Sequence, residues 1–261
     1  MSKPDIGTVK SVLGDAADHG IISLPSRDLM CVSLDDNVLM GCDGLDLDEI
    51  DATEVALVSL LIDDSSSMWD VVGAVIDGQN ALIEALVDSK QKDSFLLGMW
   101  ALNRDNPYHS YLKVVDAEKL DNKSYHPGGC TPLYDKWVET LSANVTYAQQ
   151  LRDSGTTVRS IAVVITDGQD YGSRQHTAAD CATLAKDLLD SETFVLAMVG
   201  LGNHGFKDVA KDMGIPAGAV LEAGDTPSDV RRVFQLVSQS VIRASQAKVN
   251  PKSAQNNFFT P

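Results

Sequence analysis

The chain has 261 residues, enough to bury a full core, and 44% of them are hydrophobic, an ordinary share for a soluble globular protein. Acidic side chains number 37 against 21 basic ones, a net charge of −16, which repels nucleic acid and anionic membranes and favours cations and basic surfaces. No stretch reaches about 18 consecutive apolar residues and the start lacks an apolar signal core, so the expectation is a cytoplasmic protein without membrane insertion.

The four cysteines, Cys31, Cys42, Cys130 and Cys181, form no C-x-x-C pair. A zinc site is not indicated, and reduced thiols are expected. Residues 1–52 read as an N-terminal extension. Ile21–Leu24, Met30–Leu34 and Val38–Gly41 read as short strands, with Asp35-Asp36-Asn37 as a hairpin turn. The acidic run from Asp43 to Asp51 lacks the order of a calcium loop and reads as a solvated turn.

From Val55 the pattern becomes regular. Val55–Ile62 is a nearly continuous apolar run, as for a strand buried on both faces. Residues 68–88 carry Val72, Val75, Ile76, Leu82, Ile83, Leu86 and Val87 at helical spacing. Phe95–Leu102 and Tyr108–Val115 read as an antiparallel hairpin around Asn103–Pro107. A helix follows over 132–152, with Gly155 at its C-terminal end. Val158–Thr166 is another buried strand, 177–190 a helix and Thr193–Leu201 a strand. Phe206–Met213 is a short helix, and Ala219–Leu221 a short strand. Thr226-Pro227-Ser228-Asp229 starts a last helix that runs to about Ser245.

This alternation predicts an α/β fold over 53–245: a Rossmann-like, doubly wound, mostly parallel sheet with one antiparallel edge strand and helices on both faces. The tail, 246–261, is too polar to fold alone, and Phe258 and Phe259 are expected to dock on a neighbouring surface.

Doubly wound sheets bind ligands beyond the carboxyl ends of their strands. Three loops leave that side. The first holds Asp63-Asp64-Ser65-Ser66-Ser67, the second Gly128-Gly129-Cys130-Thr131-Pro132-Leu133, and the third follows Thr166 with Asp167-Gly168. Each has a plainer reading. Ser65 or Ser67 could cap a helix, Thr131 before Pro132 could do the same, and Asp-Gly is a common turn. Together they supply two carboxylates and three hydroxyls, an oxygen set suited to Mg²⁺ or Mn²⁺. If the first and fourth strands are neighbours, Asp63 and Asp167 flank one crevice.

Asp63-x-Ser65-x-Ser67, Thr131 and Asp167, each on its expected element, resemble the metal-ion-dependent adhesion site of von Willebrand factor A domains. The resemblance covers about 53–245. It implies that Ser65, Ser67 and Thr131 ligate a Mg²⁺ (or Mn²⁺), while Asp63 and Asp167 act through water or orient the hydroxyls. It implies a protein partner whose Asp or Glu completes the coordination. Cys130 stands where the family motif often has glycine and is expected to pack under the loop. Asp64 is an extra acid, expected to face solvent. The last helix is similar to that of tellurite-resistance-type proteins, and relatives of this kind accompany ATPases or stress systems.

The segment around Asp63 also resembles the acidic start of a phosphoacceptor receiver domain, but no fitting lysine follows Thr193–Leu201. A haloacid-dehalogenase-type phosphatase would need D-x-D where this chain has Asp63-Asp64-Ser65, and with no G-x-S-x-G, P-loop or nucleophile–base pair, catalysis is not expected. A structural component with a silent metal site is the other alternative.

Overall fold

The structure, a computed structural model, describes residues 4–202, 205–246 and 255–259. The apolar runs become six strands: β1 (Glu54–Ile62), β2 (Phe95–Ala101), β3 (His109–Lys113), β4 (Thr157–Thr166), β5 (Phe194–Leu201) and β6 (Val220–Ala223). They form one sheet in the order β3-β2-β1-β4-β5-β6. Every pairing is parallel except β2 with β3, so the antiparallel strand is an edge strand, as expected. β1 and β4 are neighbours, with Ile62 opposite Ile165. Val55–Ile62 and the whole of β5 are buried, which is why their sequences are apolar without alternation.

Helices cover both faces. α4 (Val72–Val87) packs against α8 (Pro227–Gln246) on one side. Gly78 on α4 permits this close approach, since a Cβ there would meet the Phe234 ring at 2.4 Å. On the other side lie α5 (Leu133–Asp153) and α6 (Ala178–Asp190). The short α7 (Phe206–Asp212) sits by β5 and β6. Past the Ser154 C-cap of α5, Gly155 turns the chain with a φ of +93° that suits glycine.

The N-terminal extension contradicts its expected hairpin. It is three helices, α1 (Ile6–Asp18), α2 (Leu24–Val32) and α3 (Asp36–Cys42). Each starts on a short polar cap. Asp5 accepts from Thr8 N–H at 2.7 Å, Ser23 from Ser26 N–H at 3.3 Å, and Asp35 from Val38 N–H at 3.0 Å. Asp35 is therefore a helix cap and not a turn residue; its side chain suits either role, and apolar clusters of four or five residues carry no period.

α1 and α3 pack on α5, and α2 on α6, adding a fourth layer. α5 is consequently buried nearly all round, polar residues included. Asn144 donates to Ser59, Ser142 to the Val138 carbonyl and Thr146 to the Ser142 carbonyl, each at 2.8 Å, while the Asn144 amide oxygen is buried without a partner. Glu139 is held by Lys136 at 2.7 Å and by the Asn37 amide of α3 at 2.6 Å.

Of the tail, the described part is 255–259. It docks on the chain's own surface: Phe258 is buried, and Arg243 donates to its carbonyl at 3.0 Å. The rest of that expectation lies outside the described residues. All four cysteines are free. Among the described residues no helix is long and apolar enough to cross a membrane.

Candidate functional site

β1 and β4 end side by side, and their ladder continues one step, with Asp63 N–H donating to the Ile165 carbonyl at 2.9 Å. Asp63 and the Thr166–Gly168 turn therefore leave the same edge of the sheet. The Asp63 carboxylate is fully buried. One oxygen accepts from Ser65 N–H at 2.7 Å, closing an Asx-type turn, and the other from the Thr166 hydroxyl at 2.5 Å. The carboxyl is pushed up to about 6 in all: burial raises it most, the bonds from Thr166 and Ser65 oppose the rise, and the nearby Asp167 charge adds to it. The Tyr125 hydroxyl, also buried, donates to the Asp63 carbonyl at 2.7 Å.

The turn aims the first loop at the third. Ser65 Oγ and Ser67 Oγ lie 3.0 Å apart, and Ser67 donates to Asp167 Oδ1 at 2.7 Å. Thr131 enters from the second loop. Its N–H and carbonyl exchange hydrogen bonds with Tyr171 at 2.9 and 2.8 Å, and a Cβ at Gly168 would stand 3.2 Å from its hydroxyl oxygen. The five residues singled out from the sequence thus converge from three loops. The capping alternatives for Ser65 and Thr131 do not hold: Ser65 makes no side-chain cap bond, and Pro132, not Thr131, stands at the N-cap position of α5, whose Tyr134 and Asp135 N–H groups donate to Asp170 and Ser173.

Two neighbours differ from expectation. Asp64 is 4% exposed and does not face solvent. Its carboxylate accepts from the backbone N–H of Asn103 at 2.8 Å and from the Asn103 amide at 3.2 Å. Burial raises its pKa, and Asn103 works against the rise. Cys130 is exposed and not packed beneath the loop. What occupies that space is the Asn103 amide, which donates to the Cys130 carbonyl at 2.6 Å and accepts from its N–H at 3.0 Å. Gly129 makes room, with φ of +78° and a virtual Cβ only 2.5 Å from Asn103 Oδ1.

Asn103, Thr166 and Tyr125 are absent from the sequence-based set. Asn103 had one signal: it follows β2, which borders β1, at the carboxyl end of the sheet. Asp135, at the start of α5, is a further anchor. It accepts from the N–H groups of Arg174, Gln175 and His176 at 2.7, 3.1 and 2.8 Å, fixing the third loop to the helix. His176 in turn hydrogen-bonds Ser33 at the end of α2, which ties the same loop to the N-terminal layer.

Among the described residues no cluster of three or more His, Cys, Asp and Glu side chains forms a metal-binding group. Any ion here would rest on hydroxyls as well as carboxylates. The oxygen spacing fits one. A six-coordinate ion with oxygens at about 2.1 Å needs neighbouring ligands roughly 3 Å apart, and the Ser65–Ser67 separation is 3.0 Å, with Ser67 oriented by its hydrogen bond to Asp167 at 2.7 Å.

No protein-family model and no curated protein matches the sequence. Solved structures do. The pilus adhesin SpaC from Lactobacillus rhamnosus GG is 13% identical, over 73% of this chain and 30% of that one, with a TM-score of 0.52. A von Willebrand factor type A protein from Catenulispora acidiphila is 18% identical, over 72% of this chain and 43% of that one, with a TM-score of 0.40. Proximal thread matrix protein 1 from the mussel byssus is 14% identical, over 73% of this chain and 47% of that one, with a TM-score of 0.48. The chain spans under half the length of each of these neighbours. The fold, a Rossmann-like, mostly parallel six-stranded sheet, is shared in outline with the matched part of SpaC. At these identities the likeness is one of fold alone, and function rests on the site.

Proposed function

We propose that the chain is a protein-binding module that holds one divalent cation, Mg²⁺ or Mn²⁺, and through it captures an Asp or Glu of a protein partner. The observation that carries this is the 3.0 Å spacing of the Ser65 and Ser67 hydroxyl oxygens, with Ser67 donating to Asp167 at 2.7 Å, beside a buried carboxylate, Asp63. In this reading Ser65, Ser67 and Thr131 hold the ion, and Asp63 and Asp167 orient the hydroxyls. When bound, the ion supplies a Lewis-acidic position open to an outside carboxylate, because neutral hydroxyls leave its charge incompletely balanced. The protein's own part is orientation. Thr166 and Tyr125 fix Asp63, and Asn103 and Asp135 fix the loops.

A binding role is favoured over catalysis by what stands near the loops. A Ser–His contact exists, Ser33 with His176, but both side chains are buried and His176 Nδ1 has no partner, so no oriented, accessible nucleophile results. The setting we propose, from the resemblance of the last helix, is a cytoplasmic stress-response or ATPase-associated assembly. A structural component with a silent metal site is the competing reading.

The test uses the full chain and Asp63→Ala. Calorimetric titration with Mg²⁺ and Mn²⁺ should give saturable one-to-one binding to the wild type and none to the variant. Proteins recovered from native lysate with Mg²⁺ should be lost with chelator and with Asp63→Ala. Recovery that survives both treatments sinks metal-mediated capture; cation binding without any chelator-sensitive partner favours the silent site.

A further inference from the structure

We infer that Trp69 and Tyr171 form an aromatic rim at the candidate site, selecting a partner segment in which a single carboxylate is flanked by apolar side chains. The inference rests on the carboxylate-capture reading and adds to it the chemistry on either side of the acid.

Both residues stand out by exposure. Of the three tryptophans, Trp100 and Trp137 are in the core, whereas Trp69 is 59% exposed. Tyr171, at 74%, is the most exposed large hydrophobic among the described residues. Solvent-facing Trp and Tyr are the side chains that most often anchor an interface, since they bring large area at small cost in side-chain entropy.

Both belong to the loops that carry the site. Trp69 lies two residues after Ser67 in the turn Ser66–Val71, a separation of at most about 7 Å along the chain. The turn is fixed from below by Met68, which is fully buried. Tyr171 is the antiparallel bridge partner of Thr131. Directly opposed residues of such a pair put their side chains on one face, with Cβ atoms about 5 Å apart. The Tyr171 ring therefore stands on the face that Thr131 presents. The loops behind the two aromatics are joined by Ser66 donating to the Gly129 carbonyl at 3.2 Å and by Ser67 donating to Asp167.

Charge decides what such a rim accepts. The chain carries −16 overall, Asp70 follows Trp69, and Asp170 precedes Tyr171. A polyacidic segment would be repelled everywhere except at the cation. One carboxylate with apolar neighbours meets no such opposition and covers both rings.

The experiment selects a displayed peptide library, with a fixed central Asp and random flanks, on the Mg²⁺-loaded full chain. Selected peptides should carry apolar or aromatic residues within about three positions of the Asp. Their affinity should fall about tenfold or more in Trp69→Ser and in Tyr171→Ser. Both side chains are exposed and supply no oxygen to the site, so Mg²⁺ affinity and thermal unfolding of the variants should match the wild type. Binding that needs the Asp and Mg²⁺ but shows no apolar bias, or survives both substitutions, overturns the rim and leaves carboxylate capture standing. Peptides that bind equally well with Ala for Asp, or with chelator, overturn carboxylate capture and the rim with it. A library that yields no binder also overturns the rim.

Discussion

Asn103 grips Asp64 with its backbone N–H and its side-chain amide, at 2.8 and 3.2 Å, and uses the same side chain to hold both polar backbone groups of Cys130. One side chain thereby fastens the first loop to the second. Asn103→Ala removes the fastening without touching any of the five oxygen-bearing residues. Displaced orienting groups commonly reduce metal affinity by 10–100-fold. A loss of about tenfold in Mn²⁺ affinity is expected, read by calorimetry or by water-proton relaxation. Unchanged affinity would show that the loops hold their places without this bridge.

Thr166 plays the corresponding part for Asp63. Its hydroxyl donates to the buried carboxylate at 2.5 Å and also receives Gly168 N–H at 3.1 Å. Thr166→Val keeps the shape and the β-branch but leaves a buried carboxylate one donor short. A charge-assisted bond of this kind is worth about 1.5–3 kcal/mol. In chelator, the variant should unfold roughly 4–10 °C below the wild type. A change under about 1 °C would mean that the remaining Ser65 donor suffices.

The parts of this architecture that could be read from sequence are those whose partners are local or periodic. β1 and β4 announce themselves because strands covered on both faces have no polar side. The five oxygen-bearing residues were legible because each sits at a strand end or a loop motif. The burial of α5 was not, because its outer face carries Glu139 and Gln149, polar residues that give no sign of burial in the sequence. They are buried because α1 and α3 cover them and supply partners such as Asn37. Asn103 and Tyr125 stayed hidden for a similar reason: their partners are backbone atoms 27 and 62 residues away.

The N-terminal layer depends on pH through Asp187. This α6 carboxylate accepts from Ser23 N–H at 2.8 Å and from the Ser26 hydroxyl at 2.5 Å, pinning the start of α2. Partial burial pushes the carboxyl up, but the bonds from Ser23 and Ser26 outweigh it and hold the group below its ordinary 3.8. A folded-state value below the unfolded one stabilises above the ordinary carboxylate range, and the contribution is lost as pH falls through the depressed value. Asp187→Asn should therefore cost roughly 1 kcal/mol near pH 7. The gap in Tm between wild type and variant should shrink as pH drops below about 4. A gap that holds constant down to about pH 2 would show that the carboxylate's charge contributes nothing to docking.

Gln255 closes a gap in the sheet. Pairing of β5 with β6 begins at Met198, so among the described residues no strand pairs with Leu196 on the β6 side. The Gln255 side chain stands in for one: its amide oxygen accepts from Leu196 N–H at 2.9 Å, and its nitrogen donates to the Leu196 carbonyl at 2.7 Å. Phe258 buries nearby and packs edge-on against Phe259 at 4.8 Å. Gln255→Ala removes both bonds and leaves two backbone groups of a buried strand unpaired, at about 1–3 kcal/mol each where water cannot reach them. The expected result is a fall of roughly 5–10 °C in Tm and faster amide exchange at Leu196. Gln255→Glu separates the two bonds, because an ionised carboxylate still accepts from the N–H but cannot donate to the carbonyl. Near neutral pH it should be less stable than the wild type, and the deficit should narrow in acid as the carboxyl gains a proton to donate. Equal stability of all three proteins, with Leu196 exchanging at one rate, would mean that the tail merely rests against the edge.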